Sequence, residues 1–237
     1  MTTENYSEVK EKYNNKIVVI DDQQDFVSAF EWVIDEAGYE PFPIVVDGSF
    51  ENITEVISCI PPDTYAVLCD HRLGKHGFDG LYGSDLVAAL YDQKLPAILN
   101  TQFYDTDTDV SIRKYRHKIP VLLDKEDVLA STIKEGIKFC LSELNGTFST
   151  NRKSYRNIVR IVDISKESRE DVVDVIIPSW NPNKAVRLPS SLIREWILEF
   201  EPVIGTRLIA NVNSGAKNSG DLYFTNFEVA PISEVNE

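Results

Sequence analysis

The sequence predicts an α/β fold, a doubly wound five-stranded parallel sheet, followed by a small mostly-β domain. Three observations predict it. Short apolar runs (Lys16-Ile17-Val18-Val19-Ile20, Tyr65-Ala66-Val67-Leu68-Cys69, Leu95-Pro96-Ala97-Ile98-Leu99 and Ile119-Pro120-Val121-Leu122-Leu123) end at polar residues and read as strands buried on both faces. Segments of helical period alternate with them, and such alternation forces right-handed crossovers and a parallel sheet covered on both sides. Past residue 150 the period changes to that of half-exposed strands, and the charge changes with it: residues 1–150 carry 13 Lys+Arg against 26 Asp+Glu, residues 151–237 carry 11 against 12.

Taken in order, residues 1–15 are a polar lead-in and 16–145 form the parallel-sheet domain. After the first strand, Phe26, Ala29, Phe30, Val33, Ile34 and Ala37 recur on one helical face, and Gly38 stops the helix. A short second strand falls around Ile44-Val45-Val46. Ser49 is placed to cap a helix presenting Phe50, Ile53, Ile57 and Ile60, which Pro61-Pro62 ends. The third strand leads into a glycine-rich loop (Gly74, Gly77, Gly80, Gly83) and a helix about Ser84–Tyr91. The polar stretch from Asp105 to Lys118 makes a weak amphipathic helix through Val110, Ile112 and Tyr115. The last helix carries Leu129, Ile133, Ile137, Cys140, Leu141 and Leu144 on one face, and Asn145-Gly146 ends it.

Residues 146–156 read as a linker, 157–231 as the second domain and 232–237 as a tail. Val159 and Ile161, then Val173, Val175 and Ile177, then Leu208, Ala210 and Val212 alternate with polar partners. Asn181-Pro182-Asn183 and Asn213-Ser214-Gly215 mark turns. A helix about Ser191–Phe200, closed by Pro202, falls before the last two strands, the second of them within Leu222–Val229. Three strands, a helix and two strands is the order of a small OB-like barrel, with an SH3-like barrel as its rival.

Composition narrows the functional classes. The 237 residues are 43% apolar, enough for a sizeable core, and no apolar run approaches the roughly eighteen residues that a membrane span requires. The polar opening Met1-Thr2-Thr3-Glu4-Asn5 does not read as a signal peptide, and Cys59, Cys69 and Cys140 are spaced neither for disulfides nor for a metal motif, which places the expected compartment in the cytoplasm. A net charge of −14, concentrated in the first half, opposes nucleic acid there.

Polar residues stand where the predicted strands end: Asp21 and Asp22 after the first strand, Asp70 after the third, Thr101 after the fourth and Lys125 after the fifth. Open α/β sheets bind and react beyond the carboxyl ends of their strands. Three acids, a hydroxyl and an amine converging on that edge form an inventory able to hold a divalent cation and accept a phosphoryl group. Crowded carboxylates raise one another's pKa unless a cation neutralises them, and Mg²⁺, hard and oxygen-seeking, suits such a set.

On these residues the segment 16–145 resembles the receiver domain of two-component response regulators. The resemblance implies the strand order 2-1-3-4-5, with Asp70 as phosphoacceptor from a histidine kinase or phosphotransfer protein. It further implies Mg²⁺ held by Asp21, Asp22, Asp70 and the backbone carbonyl of Arg72, with Thr101 and Lys125 stabilising the transferred group. Such a domain is not an enzyme beyond its own phosphotransfer and dephosphorylation. A phosphorylation-dependent homodimer through the face about Thr106–Leu144 is among the implied partners, as are partner binding and repositioning of the barrel.

The pattern departs from the family at several positions. Glu126 stands where proline usually follows the lysine, Leu122 replaces the aromatic that rotates on activation, and Gln102 replaces a small residue. The two positions that influence phosphate hydrolysis in the family are the bulky Arg72 and Phe103, so a long-lived aspartyl phosphate is expected. His71, adjacent to Asp70, reads as a side chain in the loop mouth without a catalytic role, and His76 and His117 are lone, with no ligand spacing. A Mg²⁺-dependent haloacid-dehalogenase-type phosphatase is the rival chemistry, but its D-x-D-x-T spacing fails at Asp21-Asp22-Gln23-Gln24-Asp25.

The second domain shows no basic recognition helix and no enzymatic motif. A protein target is expected, anchored by Trp180, Trp196 or Tyr223-Phe224. Single-stranded nucleic acid, contacted by these aromatics beside Arg156, Arg160, Lys184 and Arg187, is disfavoured by near-neutral charge. A phosphorylation-independent scaffold is the remaining alternative.

Overall fold

The computed structural model describes residues 15–74, 81–108, 110–166 and 171–231. His76, Gly77 and Gly80, nearly all of the lead-in and the tail lie outside them. The chain divides into two compact units: one comprises 1–104 with 118–147, the other 105–117 with 148–237.

The first unit holds strands β1 (Lys16–Asp21), β2 (Glu40–Val45), β3 (Thr64–Asp70), β4 (Ala97–Thr101) and β5 (Val121–Asp124) in one parallel sheet, in the order β2-β1-β3-β4-β5. This is the doubly wound order expected for 16–145. The central strands are buried along nearly their whole length, as their unbroken Val, Ile and Leu runs require. Edge strand β2 contains Pro41 and Pro43, which have no N–H to donate. It tolerates them because the ladder to β1 is made by the even-numbered residues around them, with Glu40 N donating to Asn15 O and Val46 N to Asp21 O.

Helix α1 (Gln24–Glu36) buries Val27, Phe30 and Ile34, while the predicted face residue Ala29 is exposed. Gly38, at φ +80°, ends the chain's excursion as expected. Helix α2 (Ile53–Ser58) is capped by Asn52, whose side chain accepts from Glu55 N at 3.2 Å, and not by Ser49. Ser49 is occupied locally, its N–H bonded to the Asp47 carboxylate at 3.0 Å. Helix α3 (Gly83–Asp92) lies between β3 and β4, and α5 (Ala130–Leu144) follows β5. Gly136 lets α5 approach the sheet: a Cβ there would stand 2.7 Å from Ile98 Cδ1. The core runs from Ile17, Val19 and Leu68 through Ile98 to Ile133 and Ile137.

The predicted helix between β4 and β5 does not form as such. One turn, α4 (Tyr104–Asp107), is followed by a 3₁₀ segment, Arg113–Lys118. Arg113 and Arg116, which the sequence reading did not single out, are 1% and 3% exposed and bind the second unit's own backbone.

The second unit is an antiparallel sheet of β6 (Tyr155–Lys166), β7 (Asp171–Ile177), β8 (Asn181–Pro189), β9 (Arg207–Val212) and β10 (Phe224–Val229), ordered β10-β9-β6-β7-β8, with α6 (Ser190–Arg194) between β8 and β9. Three strands, a helix and two strands is the expected sequence. Among the described residues β8 and β10 share no ladder. Its core includes Val159, Ile161, Val175, Leu188, Leu208 and Phe224. The β7–β8 turn is Pro178–Trp180 instead of Asn181–Asn183, and α6 stops well short of Phe200. Trp180 packs against this core and donates Nε1–H to Ala216 O at 2.8 Å; Tyr223 and Phe224 are buried. Of the proposed aromatic anchors only Trp196 is exposed, because the others' apolar area completes the core. Among the described residues no helix is long and apolar enough to cross a membrane.

Candidate functional site

The carboxyl ends of β1, β3, β4 and β5 deliver Asp21, Asp70, Thr101 and Lys125 to one edge of the parallel sheet, with Asp22 one residue past β1. Register explains the convergence: Ile20 pairs with Cys69, Asp70 with Asn100 and Thr101 with Asp124. Four independent strands therefore end at the same level. All five side chains contribute to one region, with Asp21, Asp70, Thr101 and Lys125 buried and Asp22 half-buried. A cavity of about 190 Å³ opens there, lined by Asp22, Gln23, Asp70, Arg72, Gly74, Thr101, Gln102, Phe103 and Lys125.

Electrostatics are set by three acids and one amine. Carboxylate oxygens of Asp21, Asp22 and Asp70 lie within 4.8 Å of one another. Lys125 Nζ bridges two of them, 2.9 Å from Asp21 Oδ2 and 3.0 Å from Asp70 Oδ1. Its ammonium also sits 3.9 Å from the centre of the Phe26 ring, which shields it from water and strengthens these contacts. The backbone fixes the acids: Gln23 N donates to Asp21 Oδ1 at 2.9 Å and Arg72 N to Asp70 Oδ2 at 2.8 Å. Burial pushes Asp70 up to about 6, Lys125 working against the rise and Asp21 with it. Burial, then the charge of Asp21, likewise raises Asp22. Burial beside Asp70 carries the Cys69 thiol well above its usual range, so this cysteine is an inert core residue.

Whether these residues suit a cation is tested by their unsatisfied oxygens. Asp22 Oδ1 is buried and has no hydrogen-bond partner among the described residues; Asp21 Oδ2 has only the ion pair to Lys125. Hard oxygen donors, an excess of negative charge and a polar cavity fit Mg²⁺. The isolated bridge between Arg72 and Tyr82 is made by Leu73 N to Leu81 O at 3.0 Å and Gly83 N to His71 O at 2.8 Å.

Several contributors escape sequence reasoning. Phe26 registers only as an apolar helix position, and Gln23 only as a polar one. His71 is not at a loop mouth: it is fully buried and stacked on Tyr82 with ring centres 5.3 Å apart. Arg72 and Phe103, far apart in sequence, meet as a cation–π pair, the guanidinium 4.1 Å from the ring centre, at the cavity's rim. Gly83 packs directly against the end of β3, where an added Cβ would stand 1.9 Å from the Asp70 carbonyl oxygen. Gly83→Ala must therefore displace the backbone that carries Asp70. It is expected to destabilise the protein by about 3 kcal/mol and lower the thermal midpoint.

No protein-family model and no curated protein matches the chain. Among solved structures, the first half is similar to response-regulator receiver domains. One from Clostridium thermocellum is 18% identical, with 55% of this chain and 96% of that chain covered and a TM-score of 0.41. The receiver domain of Erythrobacter litoralis PhyR is 19% identical, over 54% of this chain and 93% of that one, TM-score 0.41. A CheY-like receiver protein from Methanospirillum hungatei is 16% identical, over 56% and 97%, TM-score 0.41.

Proposed function

We propose that this chain is a phosphorelay response regulator that accepts a phosphoryl group on Asp70 and signals through its second unit. The observation that carries the reading is Lys125 bridging Asp21 and Asp70 beside Asp22, at the carboxyl edge of a β2-β1-β3-β4-β5 sheet, with Thr101 at the neighbouring strand end.

In this reading an Asp70 carboxylate oxygen attacks the phosphorus of a phosphohistidine on a kinase or phosphotransfer protein. The P–N bond breaks, its electron pair stays on the imidazole nitrogen, and the imidazole takes up a proton from solvent. Lys125 offsets the negative charge on the transferring oxygens, and Thr101 is placed to hydrogen-bond one of them afterwards. In the present geometry the Thr101 hydroxyl accepts from Phe103 N at 3.1 Å, which ties it to the loop beyond β4. Mg²⁺, held by Asp21, Asp22, Asp70 and the Arg72 carbonyl, would supply charge neutralisation and orientation when bound. The chain would work in the cytoplasm, where free Cys59, Cys69 and Cys140 stay reduced.

For the second unit, a protein target is favoured by an exposed apolar run between α6 and β9: Trp196, Leu198, Val203 and Ile204 are 45%, 88%, 60% and 60% exposed. The bases proposed for nucleic acid are in part committed elsewhere, Arg156 to Glu228 and Arg187 to Asp174.

Incubating the full chain with a small acyl phosphate and Mg²⁺ should add one phosphoryl group by intact mass, mapped to Asp70 and abolished by EDTA. Label on Asp21 or Asp22 would instead favour phosphatase-type chemistry.

The Arg72–Phe103 pair governs how long that group survives. Stacked over the cavity, it obstructs a water in line with the acyl phosphate. Phe103→Ala should speed loss of the phosphoryl group about tenfold, corresponding to about 1.4 kcal/mol of lost protection, followed as decay of the phosphorylated fraction. An unchanged rate removes the pair from this role.

A further inference from the structure

In a doubly wound sheet, the segment joining β4 to β5 ordinarily covers its own sheet as a crossover. Here Asp105–His117 belongs with the antiparallel unit. The chain leaves β4 at Thr101, passes Phe103, enters the second unit at Asp105 within α4, and returns to the first unit at Lys118 ahead of β5, whose last residue precedes Lys125. Both ends of this connector are thus attached to residues of the candidate site.

Its hold on the second unit is specific. Arg113 Nη1 donates to the carbonyls of Ser219 and Leu222, both at 2.7 Å. Arg116 donates to Gly220 O at 3.3 Å and pairs with the Asp221 carboxylate at 3.0 Å. The remaining carbonyl of Ser219–Leu222, a stretch that opens with a 3₁₀ turn (Ser219–Asp221), is Asp221 O, which accepts from Asn213 Nδ2 at 3.0 Å, and Asn213 Oδ1 takes Tyr223 N–H. From beneath, buried Arg152 donates to the carbonyls of Arg116 and His117, both at 3.0 Å, and its guanidinium lies 4.7 Å from the Tyr223 ring. Every carbonyl from Ser219 to Leu222 is therefore satisfied either by a connector arginine or by the asparagine that shapes the loop. Charge-assisted bonds out of water are strong and directional, and losing one leaves a buried group unpaired. The connector cannot slide without disturbing this loop.

We propose that Asp105–His117 is an internal transmission strap: clamped to Ser219–Leu222 by Arg113 and Arg116, it delivers a change at Thr101 to the second unit along the chain itself. This rests on the reading of Asp70 as the phosphoryl acceptor. The strap takes the place of the aromatic relay that Leu122 cannot provide, and it makes the Asn213–Tyr223 loop the first part of the second unit to respond. A ligand that shifts the Thr101 end is read out only as far as it binds the two arrangements differently.

The test is hydrogen exchange on the full chain with and without Mg²⁺ and beryllofluoride, a mimic of the acyl phosphate. Peptides covering Leu68–Leu73 and Leu99–Tyr104 report occupation of the site; Asn213–Tyr223 reports delivery; β7 serves as the control. The expected result is slowed exchange at the first two, a change of about threefold or more at Asn213–Tyr223, and none at β7. Site protection with an unmoved Asn213–Tyr223 loop overturns the strap and leaves the acceptor reading standing. No protection at the site overturns both. Arg116→Gln, with slow exchange in β7 confirming its fold, should keep site protection and lose the loop response; a response equal to that of the parent chain overturns the clamp.

Discussion

Asp70→Asn is expected to abolish phosphoryl incorporation from an acyl phosphate while making the metal-free protein more stable at neutral pH. The two effects share one cause. Burial raises the Asp70 carboxyl to about 6, so its ionised form is disfavoured in the fold by roughly two pKa units relative to an exposed aspartate. The sign follows from linkage: between about pH 4 and 6 the native state holds the proton more tightly than the unfolded chain, and stability falls as pH rises through that window. Above it the penalty is complete, at about 2–3 kcal/mol. Asparagine removes the charge and keeps the shape, so thermal denaturation near pH 7.5 should give a higher midpoint than the parent chain. The difference should close as both approach pH 4. Mg²⁺ should raise the parent's midpoint and leave that of Asp70→Asn much less changed. Phosphorylation of the Asp70→Asn variant, or a midpoint difference independent of pH, would contradict this account.

Lys125→Met should have the largest destabilising effect of any change at the site. Lys125 is the cation bridging Asp21 and Asp70, and its removal leaves two buried carboxylates facing Asp22 with nothing between them. Breaking a buried pair in this way costs about 3–5 kcal/mol when the remaining charge stays ionised. The loss should be greatest in metal-free buffer at pH 8. It should shrink toward pH 5, because Lys125 holds the Asp70 carboxyl down and without it that group protonates more readily. Mg²⁺ should restore part of the stability by supplying the missing charge, yet phosphoryl incorporation should stay low. Denaturant titrations across pH, with and without Mg²⁺, measure this. A loss that neither acid nor Mg²⁺ relieves would mean that Lys125 serves packing against Phe26 instead.

Much of this was legible in the chain alone because it is encoded locally. Unbroken apolar runs such as Ile17–Ile20 and Ala66–Cys69 specify strands buried on both faces, and the residue that ends each run lands at the sheet's carboxyl edge. The placing of Asp21, Asp70, Thr101 and Lys125 in one region follows from strand ends and sheet order. The alternating second half similarly announces an antiparallel sheet, and its order of three strands, a helix and two strands was readable from period and turns.

Tertiary structure decided what depends on distant partners. Capping went to Asn52, whose side chain accepts from Glu55 N, while the Ser49 N–H donates to Asp47. Trp180, Tyr223 and Phe224 became core because the sheet needed their area, leaving Trp196 exposed. The connector is the clearest case. Val110, Ile112 and Tyr115 are spaced for a helix, and nothing in that pattern singles out Arg113 or Arg116. Yet those arginines are buried against carbonyls more than a hundred residues away, at Ser219, Gly220 and Leu222. Backbone carbonyls have no signature in sequence, since every residue carries one. Strands and their terminal acids were therefore determined by the sequence itself, while the attachment of the β4–β5 connector was decided by tertiary structure, because its partners are carbonyls more than a hundred residues away.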